Sequence, residues 1–221
     1  MDALFVAGTG TDIGKTYVTA ALLRAVAASG RTAEALKPVV SGFDEAAPAG
    51  SDPAVLLQAL GRPLTPESLD RISPWRYRAP LAPNQAARLE GRAVDAEAVI
   101  GFCRSRIADA EGGLVFIESA GGIMSPLDEA TTMLDLAKTL AAPVLLVAGS
   151  YLGTLSHTLT AAAVIHAAGL QIAAVVVNES QGAPSLSDVV DEIRSRLPGV
   201  RVVTLERCGD GAEIVDAVLR A

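Results

Sequence analysis

The stretch that decides the fold is Gly8-Thr9-Gly10-Thr11-Asp12-Ile13-Gly14-Lys15-Thr16. It follows an apolar run at residues 3–7 and opens an alanine-rich helical pattern that continues to about Ser29. This order predicts a phosphate-binding loop, because backbone N–H groups and a helix N-terminus converge there on anionic oxygens. In such a loop Lys15 reaches the β- and γ-phosphates, and the Thr16 hydroxyl binds Mg²⁺. The alternative is a glycine-rich turn that caps a helix and binds nothing.

Composition predicts one folded domain over residues 1–221. Half of the residues are hydrophobic and 19% are charged, which excludes a disordered chain. A net charge of −7 argues against nucleic acid or an anionic membrane as partner. We find no targeting segment and no membrane-spanning apolar run, so we expect a cytoplasmic protein. The two cysteines, Cys103 and Cys208, lack the spacing of a zinc site or a disulfide framework.

Apolar runs alternate with helical patterns along the chain. Strands are predicted at residues 33–37, 114–118, 143–148, 172–177 and 200–203, and helices at 131–140, 154–168 and 185–197. A short helix is expected to begin at Ser51-Asp52-Pro53, with a capping residue and a proline in its first turn. A second helix, capped by Asp95, is expected to run to about Ala110. The alternation predicts an α/β fold with a doubly wound, mostly parallel sheet and helices on both faces, as in P-loop NTPases. Ligands of such sheets bind at the carboxyl ends of the strands.

Two segments between these elements carry less regular patterns. Residues 61–83 are proline-rich and weakly periodic, and we interpret them as a lid or an insertion. Within them, the basic stretch Arg71–Arg78 is interpreted as a loop, either solvated or placed over an anionic small molecule.

Charged side chains at predicted strand ends are the candidates for chemistry. Lys37 could stabilise a transferring phosphoryl group, or it could snorkel from the rim of the sheet. Asp52 and Glu118 are candidate outer ligands for the magnesium ion. Asp52 could instead cap a helix, whereas Glu118 ends a buried strand and needs a partner. His157 and His166 are interpreted as ordinary packing residues of a helix.

Five motifs, in order, together resemble dethiobiotin synthetase over at least residues 3–178. They are residues 8–16, Lys37-Pro38-Val39-Val40-Ser41-Gly42, Ser51-Asp52, Glu118-Ser119-Ala120-Gly121-Gly122 and Gly153-Thr154-Leu155-Ser156-His157. The family's longer phosphate loop also accounts for Thr9, which stands where the standard motif has its first glycine.

The resemblance implies a ligase of biotin biosynthesis that uses ATP and Mg²⁺. It would join CO2 to 7,8-diaminononanoate as a carbamate, phosphorylate the carbamate and close the ureido ring of dethiobiotin, releasing ADP and phosphate. It further implies a homodimer. We expect the start of the helix at Gly153–Ser156 to bind the distant carboxylate of the diamine in the partner's site, because its N–H groups are free. The alternative is that Thr154 or Ser156 only caps this helix.

The resemblance also assigns roles to single residues. The implied catalytic residues are Lys37, Lys15, Thr11 and Ser41. The implied nucleotide-binding residues are Asp12, Ile13, Gly14, Lys15, Thr16, Tyr17, Asp52, Glu118, Ser119, Ala120, Gly121 and Asn178, with Asn178 at the adenine. The implied metal ligands are Thr16, Asp52 and Glu118, and the implied substrate-binding residues are Thr11, Lys37, Ser41, Gly153, Thr154, Leu155 and Ser156.

The sequence departs from the family at three positions. Ser119 replaces a usual glycine and would be strained if that position needs a positive φ. Ser156 replaces a usual asparagine, and Asn84 replaces a usual histidine.

Two other functions share features of this sequence. A partner-regulated ATPase of the partitioning or septum-placement type would carry an additional lysine at the position of Gly10 and often a basic or amphipathic tail, whereas residues 211–221 are short and mixed. An amidotransferase-linked synthetase of cobalamin synthesis would need a glutaminase domain, for which this chain has no room.

Overall fold

A computed structural model describes residues 3–182 and 185–207 and, singly, Ile214 and Val218. Cys208 and most of the segment 211–221 lie outside the described residues.

Eight strands form two parallel sheets in the described part of the chain. Their bounds are β1 (Ala3–Gly8), β2 (Ala33–Leu36), β3 (Val39–Ser41), β4 (Trp75–Tyr77), β5 (Leu114–Gly122), β6 (Val144–Gly149), β7 (Ile172–Asn178) and β8 (Val202–Leu205). The six-stranded sheet has the order β2-β5-β1-β6-β7-β8, and β3 pairs with β4. The mostly parallel sheet predicted from the apolar runs is thereby confirmed.

Helices cover both faces of the large sheet. Their bounds are α1 (Lys15–Ala28), α2 (Asp52–Ala59), α3 (Pro66–Ile72), α4 (Pro83–Leu89), α5 (Ala96–Ala108), α6 (Met133–Thr139), α7 (Thr154–Ala167) and α8 (Leu186–Arg196), with a 3-10 turn at Pro48–Gly50. Successive residues of β1 alternate between two apolar clusters: Phe5 belongs to one, and Leu4 and Val6 belong to the other. This alternation follows from the two-residue period of a strand and shows that each face of the sheet has its own core. No helix in the described ranges is long and apolar enough to cross a bilayer.

One predicted strand end is wrong, and one small sheet was not predicted. β2 ends at Leu36, as the proline at position 38 requires, but the chain then forms β3 in a second, small sheet that the sequence did not reveal. β5 does not end at Glu118; it continues to Gly122, which pairs with Gly8 beyond a register shift in β1. The N-cap predicted at Asp95 is confirmed, since its side chain accepts a hydrogen bond from the N–H of Ala98.

The basic stretch Arg71–Arg78 is not a loop, so both interpretations of it were wrong. It contributes the end of α3 and all of β4. Arg76 pairs with Asp70 at 2.7 Å and lies over the ring of Phe43 at 5.5 Å. Trp75 and Tyr77 favour a strand, and a neighbouring acid and an aromatic ring take up the positive charge of Arg76.

Candidate active site

The phosphate loop lies between the end of β1 at Gly8 and the start of α1 at Lys15. Asp12 and Gly14 both adopt positive φ, at 56° and 89°, which lets the chain turn sharply into the helix. Gly14 also needs to lack a side chain, because an added Cβ would lie 2.0 Å from Nδ2 of Asn178. The same Nδ2 donates to the carbonyl of Ile13 at 3.1 Å, so Asn178 at the end of β7 braces the loop.

Lys15 lies inside this loop and is buried, so its charged group has little contact with water. Its Nζ donates to the carbonyl of Gly10 at 2.9 Å. Burial and the neighbouring charge of Lys37 lower the pKa of Lys15 to about 8, although nearby carboxylates, chiefly Glu118, oppose the shift. A bound polyphosphate would supply the negative charge that this site lacks.

Glu118 is the buried centre of a hydrogen-bond network, with 1% of its surface exposed. Its Oε1 accepts from the hydroxyl of Thr16 at 2.7 Å and from Nζ of Lys37 at 2.6 Å. Its Oε2 accepts from the hydroxyl of Thr19 at 3.1 Å. The partner that a buried carboxylate requires is therefore present. Sequence reasoning missed Thr19, although it follows Thr16 by three residues and must share a helix face with it.

Lys37 bridges two carboxylates and does not snorkel. Its Nζ lies 2.6 Å from Glu118 and 2.5 Å from Asp52, and the residue is 5% exposed. Burial by itself would lower the pKa of Lys37, but the charges and hydrogen bonds of Glu118 and Asp52 outweigh burial and raise it. Lys37 is thus held in its charged form beside the phosphate loop.

Asp52 is not the cap of its helix, so that alternative is wrong. The N-cap of α2 is Ser51, whose hydroxyl accepts a hydrogen bond from the N–H of Ala54 at 3.4 Å. Burial would raise the pKa of the half-exposed Asp52, but the charge of Lys37 and hydrogen bonds from Lys37 and Thr16 lower it. Asp52 is thereby free to face the site as a carboxylate.

The oxygen donors around Lys37 fit a magnesium ion. Thr16, Asp52 and Glu118 offer one hydroxyl and two carboxylates, and all three contact one another or Lys37. Within residues 3–182 and 185–207, no group of three or more His, Cys, Asp or Glu side chains forms a metal cage. Mg²⁺ needs no such cage, because it commonly binds one or two carboxylates together with water and substrate phosphates.

A cleft of about 760 Å³ opens in front of these groups, within the size range of small-molecule sites. It is lined by Thr11, Asp12, Gly14, Lys15, Thr16, Lys37, Ser41, Gly42, Asp52, Pro80, Leu81, Ala82, Pro83, Ala120, Gly121, Gly122 and Ser125. The hydroxyl of Ser41 is buried and has no hydrogen-bond partner in the described part of the chain. A buried orphan hydroxyl in a cleft is available to a ligand.

Several expected nucleotide-binding residues lie behind the wall of this cleft. Ile13 and Tyr17 pack with the core on the α1 side. Glu118 does not line the cleft itself, but its Oε1 contacts Thr16 and Lys37, which do. Ser119 is buried, and its hydroxyl donates to the carbonyl of Gly121 at 3.1 Å. The positive φ of this turn belongs to Gly121 and not to Ser119, so the conditional strain at Ser119 does not arise.

The expected carboxylate-binding helix start does not line the cleft of its own chain. Gly153 precedes α7 with a φ of 95°, and α7 has no side-chain cap, so the capping alternative is wrong. The hydroxyl of Thr154 instead donates to the carbonyl of Gly149 at 2.5 Å, which fixes the helix start to the end of β6. Leu155 is half-buried and Ser156 is exposed, with Leu152 beside them 92% exposed.

The two histidines are not packing residues. The buried positions of α7 are Thr154, Thr158, Ala161, Ala162 and Ile165. His157 and His166 fall outside this stripe and are exposed, and a 2.8 Å hydrogen bond joins Nδ1 of His157 to the hydroxyl of Tyr151. Asn84, in the first turn of α4, accepts a hydrogen bond from the N–H of Gln85 and does not line the cleft.

Comparison with known proteins identifies a matching family and similar proteins. The chain matches a protein family described as "AAA domain" over residues 2–206. ATP-dependent dethiobiotin synthetase BioD of Caulobacter vibrioides (strain NA1000 / CB15N) is 52% identical over 221 residues, which cover 99% of this chain and 100% of that protein. The protein of the same name from Methylobacterium nodulans is 48% identical and covers 98% of this chain and 100% of its own length.

Solved structures share the fold at low sequence identity. Chloroplast FtsY from Physcomitrella patens superposes with a TM-score of 0.57 at 19% identity, over 98% of this chain and 64% of that one. The MinD cell division protein of Aquifex aeolicus gives 0.56 at 13% identity, over 100% and 96%. These likenesses confirm the P-loop NTPase-like fold and carry nothing further.

The relatives near 50% identity align over almost the whole chain, and they are named as ATP-dependent dethiobiotin synthetases, not as partitioning ATPases. The buried lysine, the carboxylates and the phosphate loop meet at one edge of the sheet, where the five sequence motifs place them. The chain belongs to the ATP-dependent dethiobiotin synthetase family.

Proposed function

We propose that this protein converts 7,8-diaminononanoate, CO2 and ATP into dethiobiotin, ADP and phosphate. The relatives' names support this reaction, and one structural observation carries it. Lys37 lies buried and charged between Glu118 and Asp52, and it lines the same cleft as Lys15 of the phosphate loop. Two cations at one cleft suit a reaction whose intermediates are a carbamate and its phosphorylated form.

The reaction comprises three bond-forming steps. One amine of the substrate adds to the carbon of CO2 and loses a proton, which gives a carbamate. A carbamate oxygen then attacks the γ-phosphorus of ATP, and the bond from that phosphorus to ADP breaks. The second amine finally attacks the carbamate carbon, loses a proton and expels phosphate, which closes the ureido ring. The carbamate, its phosphorylated form and the departing phosphate are all anions.

The residues of the cleft divide this work between positioning and charge stabilisation. Lys15 and Lys37 stabilise negative charge on the carbamate and on the transferring phosphoryl group. The orphan hydroxyl of Ser41 and the exposed Thr11 position the diamine and the carbamate. Correct positioning and preorganised charge supply most of the catalysis in phosphoryl transfer.

Magnesium would be held by Thr16, Asp52 and Glu118. The ion, when bound, would neutralise charge on the β- and γ-phosphates. The Thr16 hydroxyl donates its hydrogen to Glu118 and keeps lone pairs for the metal. In the same proposal Asn178 binds the adenine, supported by its place at the end of β7 against the phosphate loop.

We further propose a homodimer in which Gly153–Ser156 of one chain binds the substrate carboxylate in the other chain's site. This helix start does not line its own cleft, and the neighbouring Leu152 is almost fully exposed. An anion there would meet the free N–H groups of a 14-residue helix. Mixing inactive Lys37→Ala chains with Leu155→Pro chains tests the sharing: mixed dimers should regain one working site, and a mixture that stays inactive after proven subunit exchange contradicts it.

Segment 61–83 is proposed to act as a lid. Its last residues, Pro80 to Pro83, line the cleft, and Leu81 is exposed there. We also propose a cytoplasmic location without a nucleic-acid or membrane partner, since a net charge of −7 disfavours phosphate-rich surfaces.

Product analysis tests the reaction directly. The protein is incubated with ATP, magnesium and bicarbonate, with and without 7,8-diaminononanoate, and phosphate and dethiobiotin are quantified. We expect both products only with the diamine and in equal amounts. Phosphate release at the same rate without the diamine would contradict a synthetase and indicate an ATPase.

A further inference from the structure

The ammonium group of Lys37 lies where the two proposed metal carboxylates converge. Its Nζ contacts Oδ2 of Asp52 at 2.5 Å and Oε1 of Glu118 at 2.6 Å. The same Oε1 accepts the hydroxyl hydrogen of Thr16 at 2.7 Å. The three groups that would hold magnesium are thus already gathered around a cation that belongs to the chain itself.

Magnesium and the ammonium group of Lys37 would compete for this pair of carboxylates. Magnesium binds carboxylate oxygens at about 2.0–2.1 Å and demands a nearly octahedral shell. An ammonium group at hydrogen-bond distance from the same oxygens would lie against that shell, and repulsion between the two charges is weakly screened in a buried site. Lys15, whose Nζ is held nearby by the carbonyl of Gly10, adds further positive charge.

Hydrogen bonds fix the backbone of Lys37, so a movement of this residue would be a movement of its side chain. Its backbone N–H donates to the carbonyl of Ile72 at 2.9 Å, and its carbonyl accepts from the hydroxyl of Ser73 at 2.6 Å. The side chain borders the cleft together with Ser41. A rotation of the lysine away from the carboxylates would therefore carry its ammonium group into the space assigned to the substrate.

We propose that Lys37 is a built-in counter-ion of the metal site, which leaves Asp52 and Glu118 when magnesium binds and is thereby delivered to the cleft. This inference rests on the metal site of the proposed function. Its consequence is that the charge needed for catalysis becomes available only with the metal. It also means that Lys37 competes with the metal, so removing the lysine strengthens metal binding.

Metal affinity tests this competition without the reaction. Mn²⁺ binding to the full protein is titrated by electron paramagnetic resonance at saturating ADP, without diamine or ATP. We expect Lys37→Met to tighten Mn²⁺ binding about tenfold or more, the effect of removing one unit charge a few ångströms from a divalent ion. Lys138→Met is the matched control, because it removes the same charge from an exposed position on α6. It should leave the affinity unchanged.

The same titration separates two kinds of failure. Glu118→Gln and Asp52→Asn should each weaken Mn²⁺ binding if the carboxylates hold the metal. If neither weakens it, the metal site and the inference both fail. If they weaken it but folded Lys37→Met, checked by circular dichroism, binds no more tightly than wild type, only the counter-ion role is overturned.

A second measurement uses the wild-type chain and so does not depend on how Lys37→Met folds. The sequence contains three lysines, Lys15, Lys37 and Lys138, so a ¹⁵N-lysine NMR spectrum is simple. The Lys37 signal is the one lost in Lys37→Arg. We expect Mg²⁺ added to the ADP complex to shift this signal and speed exchange of its Nζ hydrogens with water. An unchanged Lys37 signal at metal saturation would overturn the proposal.

Discussion

Gly14→Ala should damage the phosphate loop through two separable effects. Gly14 has a φ of 89°, and an alanine held in that region costs about 1–2 kcal/mol. Its Cβ would also lie 2.0 Å from Nδ2 of Asn178, so the amide must move and lose its 3.1 Å hydrogen bond to the carbonyl of Ile13. That bond contributes roughly 1 kcal/mol. Together the free energy of unfolding should fall by about 2–3 kcal/mol.

Gly30→Ala is the matched control. Gly30 has a φ of 75°, and an added Cβ there meets no atom within 4 Å, so this variant carries the backbone cost alone. For a chain of this size each kcal/mol shifts the melting temperature by about 2–4 °C. Urea unfolding and thermal melting, at one protein concentration, should therefore rank wild type above Gly30→Ala, and Gly30→Ala above Gly14→Ala.

A double-mutant cycle with Asn178→Ala isolates the clash. Removing the amide relieves its contact with the methyl group that Gly14→Ala introduces but leaves the backbone strain. The two substitutions together should therefore cost less than the sum of their separate losses by about 1 kcal/mol. Additive losses would refute the idea that Asn178 braces the loop. A Gly14→Ala variant as stable as Gly30→Ala would refute it as well.

Three further predictions concern the charged groups. Lys37→Ala should lower turnover at saturating substrates by about 100-fold or more, on the order of the loss of one charge-stabilising donor, with an unchanged circular dichroism spectrum; near-normal turnover would remove its role. Asp52→Asn and Glu118→Gln should raise the magnesium concentration that gives half-maximal activity, with Glu118→Gln showing the larger effect; a wild-type metal titration would reclassify the residue as structural. ATP binding should be accompanied by proton uptake above pH 8, because the pKa of Lys15 is about 8 in the free protein and bound phosphates favour the charged lysine. The affinity for ATP should therefore fall as the pH rises further. Calorimetric binding heats at about pH 8.5 that do not depend on the buffer's ionisation enthalpy would contradict this prediction.

The features of the site that the sequence predicts follow from backbone geometry and from the cost of burying a charge. A glycine-rich stretch that ends in Gly-Lys-Thr can be identified as a phosphate loop without a structure, since phosphate binding constrains the backbone and tolerates few alternatives. The buried carboxylate at Glu118 could be expected to have a partner because isolated burial is costly. The sequence could not name all of the partners, because Lys37 and Thr16 lie 81 and 102 residues away from Glu118.

The features that the sequence did not predict are two short strands, the choice between two adjacent helix caps, and the buried side of one helix. β3 and β4 have three residues each, which is too few for a period to show, and each is stable only because the other is brought beside it. Ser51 and Asp52 are both good caps, and only the fold decides that Ser51 caps α2 while Asp52 faces Lys37. His157 and His166 lie on a helix that mixes threonines with apolar residues and buries two of those threonines, so the sequence pattern does not fix which side is buried.

Strand register explains why the charged residues meet where they do. Leu36 of β2 pairs with Ile117 of β5, so Lys37, which follows Leu36, comes beside Glu118. Glu118 in turn pairs with Val6 of β1, two residues before the end of that strand. A slip of one residue would send each side chain to the other face of the sheet and break the contact. The apolar core on both faces fixes this register, and the register places the charges.

Stability alone does not account for this arrangement. A buried ion pair contributes little net stability compared with apolar residues of the same volume, because removing two charges from water costs about as much as their attraction returns. Lys37, Glu118 and Asp52 nevertheless lie at the edge of a sheet whose interior strands are almost wholly apolar. The fold can tolerate this cost because two cores stabilise the sheet independently of the site. A buried charged cluster that adds little net stability, placed beside a phosphate loop and a cleft, is therefore best explained by the chemistry it performs.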